Sequence, residues 1–186
     1  MEVKVGERKS LRKSNQSVLK KVDFGIRLES DTIDISTIDI GLVYKSSKDG
    51  IHAVWYGNPQ GAEGAICDET MQCKGSSWND DDLRICIDFS KLIDIQRMSI
   101  ITSILWGKEM ERHYGQLKSG YLRVFNHEEN CDILEYHIDW SKYSKKTGMI
   151  WAEIYPYKNE WKLKALEQPI NSRDLGELSS VAGSYL

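Results

Sequence analysis

Apolar and polar side chains alternate along most of the chain, and this alternation restricts the fold more than any other feature. The clearest apolar stripes are formed by Val22, Phe24, Ile26 and Leu28, and by Leu83, Ile85, Ile87 and Phe89. A period of two residues is typical of half-buried β-strands. Residues 97–106 are apolar on both faces, which indicates a central strand that is covered on each side.

Turn-forming sequences separate about nine segments of this kind. Clear examples are Gly57-Asn58-Pro59, residues 126–130 and Lys158-Asn159. Many short strands with frequent turns predict an all-β fold, a β-sandwich of two antiparallel sheets. We expect one short C-terminal helix, capped by Ser172, because Leu175, Leu178 and Ala182 follow at helical spacing.

Basic residues are concentrated at the start of the chain. Residues 1–21 carry seven basic and two acidic side chains, although the 186 residues together have a net charge of −3. We expect a basic lead-in over residues 1–15 and a single domain over residues 16–186. The basic segment suits peripheral contact with an anionic membrane through residues 1–21, or a solubilising, partly disordered tail. It contains no aromatic side chain for base stacking, so we expect no nucleic-acid partner.

Other features favour a cytoplasmic protein. The most apolar stretch, residues 98–106, is about half as long as a segment that crosses a bilayer, and no apolar signal-peptide segment follows the basic start. The cysteines at positions 67, 73, 86 and 131 match neither a disulfide framework nor the usual zinc-binding pairs.

Acidic residues cluster around one long connection. Residues 57–82 separate two predicted strands by about 25 residues, whereas about 4–6 are typical, and connections of that length are usually functional or disordered. The connection contains Asp68 and ends in Asp80, Asp81 and Asp82. Adjacent carboxylates repel each other unless a cation neutralises them, and calcium accepts 6–8 oxygen ligands of flexible geometry. The same acids also fit a solvated acidic surface, and there is no EF-hand pattern.

Short motifs occur in a characteristic order along the chain. They lie at residues 25–29 (GIRLE), 32–36 (TIDIS), 53–58 (AVWYGN), 79–82 (NDDD), 88–92 (DFSKL), 114–116 (YGQ), 121–124 (YLRV), 153–155 (EIY) and 159–162 (NEWK). In these motifs the chain resembles the TerD family of bacterial tellurium-resistance and general stress proteins, as a divergent member. The resemblance covers roughly residues 10–185.

The resemblance implies a β-sandwich that binds calcium through acidic loops at one edge. Proteins of this family serve resistance to tellurite, phage or colicin, and no enzymatic activity is established for the fold. By position, the implied calcium ligands are Asp34, Asp80, Asp81 and Asp82, together with Glu29, with Asp68 at the entrance of the loop and Asp31 in place of an acid that Thr32 replaces. Trp78 stands where the family has a glycine-rich run.

Three functions are compatible with these residues. The first is a calcium-dependent, non-enzymatic binding or scaffold module that acts with other proteins of a stress-resistance complex. The second keeps the sandwich as a metal-independent interaction subunit, with Trp55 and Trp78 facing a protein partner. The third is a metal-assisted hydrolase that uses the same carboxylates; the sequence offers no paired histidine or lysine base, and we assign no catalytic residue.

Two smaller groups are weighed and set aside. Glu153 fits an ion pair with Arg123 or Lys162 better than a role as a catalytic acid. His127 and Cys131 are four residues apart across a turn, and two ligands do not make a metal site.

Overall fold

The computed structural model describes residues 1–70 and 81–186, and within these ranges the chain is built from strands. The strands are β1 (Arg8–Leu11), β2 (Lys21–Glu29), β3 (Ile38–Ser46), β4 (Gly50–Trp55), β5 (Gln60–Gly61), β6 (Ile66–Asp68), β7 (Leu83–Asp88), β8 (Ile95–Ile104), β9 (Ser119–Asn126), β10 (Cys131–His137), β11 (Gly148–Tyr157) and β12 (Glu160–Ile170). Short 3-10 helices span Ile35–Thr37, Ala62–Gly64, Tyr114–Gln116 and Trp140–Lys142, and the helix α1 spans Leu175–Gly183.

The strands form two six-stranded sheets. The first sheet has the order β10-β9-β2-β7-β6-β5, and the second has the order β1-β12-β11-β8-β3-β4. Neighbouring strands within each sheet are antiparallel. The prediction of an all-β sandwich with a C-terminal helix is confirmed.

The main core lies between the two sheets and is held together by aromatic side chains. Tyr114 stacks on Trp140 with ring centroids 5.1 Å apart, and Trp140 meets Trp151 edge-on at 5.3 Å. Thr102 serves the polar atoms of two of these side chains, because its hydroxyl lies 2.6 Å from the Tyr114 hydroxyl and accepts a hydrogen bond of 2.9 Å from Trp151 Nε1. Aromatic residues thus contribute both buried area and fixed geometry.

Helix α1 covers the outer face of the second sheet. Leu175, Leu178 and Ala182 pack with Val43 and Ile101 in a separate apolar cluster, which explains why residues of β8 are apolar on both faces.

The start of α1 corrects one detail of the sequence analysis. The cap is Asp174, whose carboxylate accepts a hydrogen bond of 2.9 Å from the Glu177 N–H. Ser172, which we expected to cap the helix, is buried against Thr147.

Two short strands lie in the described part of the long connection. Residues 57–82 do not form an unbroken loop, because β5 and β6 add two short strands to the edge of the first sheet. Ile66, at the start of β6, is fully buried. A single apolar anchor of this kind carries too little periodicity to reveal a strand in the sequence.

The N-terminal residues contact both sheets of the sandwich, and the boundary after residue 15 stays a prediction. β1 pairs with β12, and residues 1–3 form hydrogen bonds with β10, including Val3 N–H to Glu135 O at 2.9 Å. Val3 and Leu11 lie in the main core. Two isolated apolar residues among many charges gave no strand signal, but they are enough to seat the segment.

We predict that Leu11→Ala lowers the free energy of unfolding by about 2–5 kcal/mol, the usual cost of removing a buried leucine side chain. Urea unfolding followed by circular dichroism measures this change. Val18→Ala is the matched control, because Val18 is 47% exposed and such surface changes stay within about 0.5 kcal/mol. Equal effects of the two substitutions would show that residues 1–15 do not contribute to the core.

Candidate functional site

Asp82, the residue directly before β7, is fixed by contacts with the backbone of β2. Asp82 N–H donates to Ile26 O at 2.9 Å, and the Asp82 carboxylate accepts from the Leu28 N–H at 2.8 Å. Asp82 thus extends the hydrogen-bond pattern between β2 and β7 by one residue before the start of β7. These contacts bring the end of the acidic connection onto the outer face of the first sheet.

Asp81 is buried on this face beneath two arginine side chains. Its carboxylate accepts hydrogen bonds of 2.8 and 2.9 Å from Nε and Nη2 of Arg123 on β9, and Arg84 Nη2 on β7 lies 3.8 Å away. Only 2% of the Asp81 side chain is exposed. The two-point contact with Arg123 is the strongest kind of ion pair that proteins form.

Gly25 makes room for this arrangement. A Cβ atom on Gly25 would lie 2.2 Å from Asp81 Oδ2, closer than nonbonded atoms approach. Gly25 is opposite Arg84 on β7 and Arg123 on β9, so the carboxylate of Asp81 sits over a gap between the two arginines that bind it. A glycine at this register position is a steric requirement.

The ion pairs extend along the outer face as a polar layer. Arg123 Nη1 lies 3.0 Å from Asp132 Oδ1, and Arg84 Nη1 lies 3.6 Å from Asp23 Oδ2. Burial alone would lower the pKa of Arg123, but the hydrogen bonds and the charge of Asp81 outweigh burial and raise it. The arginine therefore stays charged, and the layer holds acids and bases in close alternation.

The other predicted calcium ligands have local roles in the structure. Glu29 accepts a hydrogen bond of 2.8 Å from the Ser119 hydroxyl, and Asp31 lies 2.5 Å from Lys118 Nζ. Asp34 caps the first 3-10 helix through the Ser36 N–H at 3.0 Å, and Asp68 accepts from the Thr70 N–H at 2.9 Å. Each of these four carboxylates thus already contacts a hydroxyl, ammonium or backbone N–H group of the chain.

A calcium ion does not fit the contacts of Asp81. Both of its oxygens accept hydrogen bonds from one guanidinium group, and a second lies within 4 Å, so a cation would meet two positive charges there. Asp80 and Trp78 lie outside the described residues. Calcium at the acids implied by the family resemblance therefore stays a prediction.

Trp55 lies at the end of β4, an edge strand of the second sheet. It packs against the cluster beneath α1, and its ring meets that of Tyr56 edge-on at 4.6 Å. Tyr56 is 59% exposed. Together these rings form an aromatic ledge, and a partner-binding role for Trp55 stays a prediction.

Several basic side chains of the N-terminal segment are paired with acids. Lys9 lies near Glu7, Arg12 contacts Glu160, and Lys13 Nζ is 2.8 Å from Glu128. These pairs reduce the charge that residues 1–21 present to an anionic membrane. Contact with a membrane through this segment stays a prediction.

Glu153 corrects another sequence-based pairing. It contacts Arg97 on the neighbouring strand β8, whereas Arg123 lies on β9 in the other sheet.

The arginines of the polar layer were missed in the sequence as functional residues. Arg84, Arg123 and Asp23 lie on three neighbouring strands. They occupy the outward-facing positions of these strands, where charged residues usually face solvent. Their charge in the middle of strongly apolar strands was the available signal, but their burial depends on Asp81 folding back over Gly25.

We predict that Asp81→Asn lowers the free energy of unfolding by about 3–5 kcal/mol, because Arg123 and Arg84 lose their shared buried carboxylate. Urea unfolding of the full chain measures the loss. Asp31→Asn is the matched control, since its ion pair with Lys118 is exposed and such pairs contribute little. A stability of the Asp81→Asn variant close to that of the control would contradict a structural role for the arginine pairs.

No helix among residues 1–70 and 81–186 is long and apolar enough to cross a membrane.

The chain is similar to known proteins in both sequence and fold. The chain is 30% identical over 114 residues to chemical-damaging agent resistance protein B of Clostridium acetobutylicum, a match that covers 61% of this chain and 81% of that protein. It is 24% identical over 133 residues to general stress protein 16U of Bacillus subtilis, covering 71% of this chain and 66% of the relative. The matched part thus spans about two thirds of the Bacillus protein.

A solved structure gives the same fold. The crystal structure of a homologue of telluride resistance protein (TerD) from Streptomyces coelicolor superposes with a TM-score of 0.64, at 15% identity, and the match covers 89% of this chain and 98% of that one. At this identity the likeness establishes the fold alone. The model of the TerD domain family matches residues 1–181, and the chain belongs to the TerD family.

Proposed function

We propose that this chain is a non-enzymatic binding or scaffold module of bacterial stress resistance. It works in the cytoplasm with other proteins of a stress-resistance complex. At the end of its acidic connection, Asp81 is neutralised by the chain's own arginines and does not need calcium as a counter-ion. Of the three functions that the sequence allows, the proposal corresponds to the metal-independent interaction subunit.

The pairing of Asp81 with Arg123 and Arg84 carries this proposal. Clustered acids need a positive charge nearby, and the chain supplies it from β7 and β9 at 2.8–3.8 Å. A guanidinium group on a rigid strand gives a permanent charge at a fixed position. Calcium would supply a positive charge only when its free concentration is high enough for it to occupy the site.

The burial and hydrogen bonds of Asp81 support a non-enzymatic role. Asp81 is buried and engaged at both oxygens, so it is badly placed to activate a water molecule. The relatives carry the names of resistance and stress proteins, and neither of the two names describes an enzymatic reaction.

The aromatic ledge of Trp55 and Tyr56 is the surface that we assign to a protein partner. Exposed aromatic rings at a sheet edge provide contact area with little loss of side-chain entropy on binding. The ledge is rigid because Trp55 also packs against the cluster beneath α1.

We predict that calcium does not stabilise the full chain after it has been stripped with a chelator, because Asp81 already has its arginine counter-ions. Titration calorimetry and thermal unfolding in millimolar calcium measure binding and stability, and magnesium is the control cation. A saturable heat, together with a rise in melting temperature that Asp82→Asn abolishes, would reverse the proposal and restore the calcium-dependent module.

We predict that expression of the chain raises survival of a sensitive bacterial host exposed to tellurite or to a chemical damaging agent. Trp55→Ala is expected to remove the protection because the partner surface is lost. Trp106→Ala is the control for loss of a tryptophan ring, since Trp106 follows β8 and is exposed (53%), whereas Trp55 on β4 is half-buried. Colony counts measure survival, and circular dichroism checks that both variants fold.

A protein that accumulates in folded form without any gain in survival would contradict the proposed role. Equal survival of the two tryptophan variants would contradict the assignment of the ledge.

A further inference from the structure

Three potential metal ligands meet on the outer face of the first sheet, beside the polar layer. Asp23 on β2 and Cys86 on β7 are directly opposite each other in the strand pairing. His127 follows the end of β9, whose Phe125 is opposite Asp23 on the other side. The antiparallel register thus brings an oxygen, a sulfur and a nitrogen ligand together from three strands.

The ligand atoms are close enough to share one ion. They all lie within 4.8 Å of one another, and among residues 1–70 and 81–186 they are the one group of three or more His, Cys, Asp or Glu side chains that meets this distance. His127 Nε2 is 2.8 Å from Asp23 Oδ1. Zinc binds sulfur at about 2.3 Å and nitrogen or oxygen at about 2.0–2.2 Å, so ligand atoms at separations of this order can approach one ion.

Asp23 supplies independent evidence that the group binds something. The residue is 1% exposed, and neither carboxylate oxygen accepts a hydrogen bond from the described residues. Its neighbours are the His127 ring and Arg84 Nη1 at 3.6 Å, at ion-pair distances but without hydrogen-bond geometry. A buried carboxylate left in this way is costly, and a cation between Asp23, Cys86 and His127 would satisfy it.

The donor set selects the kind of ion. Calcium and magnesium prefer oxygen ligands, whereas a thiolate, an imidazole and a carboxylate together suit zinc and related first-row ions. We propose that Asp23, Cys86 and His127 bind a divalent transition-metal ion of the zinc class. The site is separate from the acids to which the family resemblance assigns calcium.

Three protein ligands leave a fourth position open. Asp23 and Cys86 are buried, but 35% of the His127 side chain is exposed, so the open position faces solvent on the His127 side. Zinc sites with three protein ligands hold water or a further ligand there.

The charges around the site fit a divalent ion. A thiolate and a carboxylate carry two negative charges, which balance the ion, and Glu69 adds a further negative charge near Cys86. Lys21 beside Cys86 and Arg84 beside Asp23 are the positive groups that face the site. Burial, and then the charges of Asp23 and Glu69, raise the pKa of Cys86, so the thiol is protonated at neutral pH without metal.

Metal binding therefore exchanges a proton for the ion. The metal–sulfur bond forms as the S–H bond of Cys86 breaks, and the proton passes to the solvent.

The test uses the reduced full chain and cobalt(II), which reports thiolate ligation through a sulfur-to-metal charge-transfer band in the near ultraviolet. We predict a band that saturates at one cobalt per chain and is abolished by added zinc. Cys86→Ser removes the band. Cys131→Ser, the matched control at an exposed cysteine, leaves it unchanged.

A second variant protects the test against loss of folding. His127→Asn changes an exposed residue, and we predict that it keeps the fold but weakens zinc affinity by more than the roughly tenfold that loss of an outer-sphere partner costs. His137→Asn is its control, because His137 is also exposed. Titration calorimetry in buffers of different ionisation enthalpy counts the released protons.

Several results would overturn the proposal. They are the absence of a saturable charge-transfer band, a band that persists in Cys86→Ser or disappears in Cys131→Ser, and zinc affinities that do not differ between the two histidine variants. Each of these outcomes leaves the stress-resistance role intact, since that role does not depend on this site.

Discussion

The ion pair between Asp81 and Arg123 determines how the acidic connection meets the sandwich. Both partners are nearly buried, so the pair itself adds little net stability, whereas loss of either partner leaves an unpaired buried charge. The pair holds residue 81 over Gly25 and thereby positions Asp82 against the backbone of β2. A single electrostatic contact thus fixes the point where the connection enters β7.

Arg84 links this contact to the Asp23, Cys86 and His127 group. Its two terminal nitrogens lie 3.8 Å from Asp81 and 3.6 Å from Asp23, so it divides its charge between two carboxylates. An ion bound at Asp23 would take over one of these interactions and leave Arg84 to Asp81. The two parts of the outer face are therefore electrostatically coupled, although they draw on different chemistry.

Much of the architecture could be predicted from the sequence, because burial of one face of a strand leaves a period of two. β2 and β7 are clear in this respect: their apolar stripes face the core as expected. β5 and β6 are too short to leave such a period. The cap of α1 was misplaced by two residues because Ser172 and Asp174 are both good capping residues, and only tertiary contacts with Thr147 separate their roles.

The candidate sites could not be predicted in the same way. Sequence spacing grouped His127 with Cys131, its neighbour in the turn, whereas the strand register places it beside Asp23 and Cys86. Register depends on long-range pairing and is not encoded in local periodicity. Asp81 illustrates the same limit, because its burial beneath Arg84 and Arg123 depends on the path of the whole connection.

The N-terminal segment touches both sheets, since β1 borders β12 while residues 1–3 border β10. In both sheets the segment lies at the edge. N–H and C=O groups that lack a partner strand at a sheet edge can pair with a strand of a second molecule. Detachment of this one segment would uncover a margin on both sheets at once. The segment thus determines which backbone groups the two sheets leave unpaired at this margin.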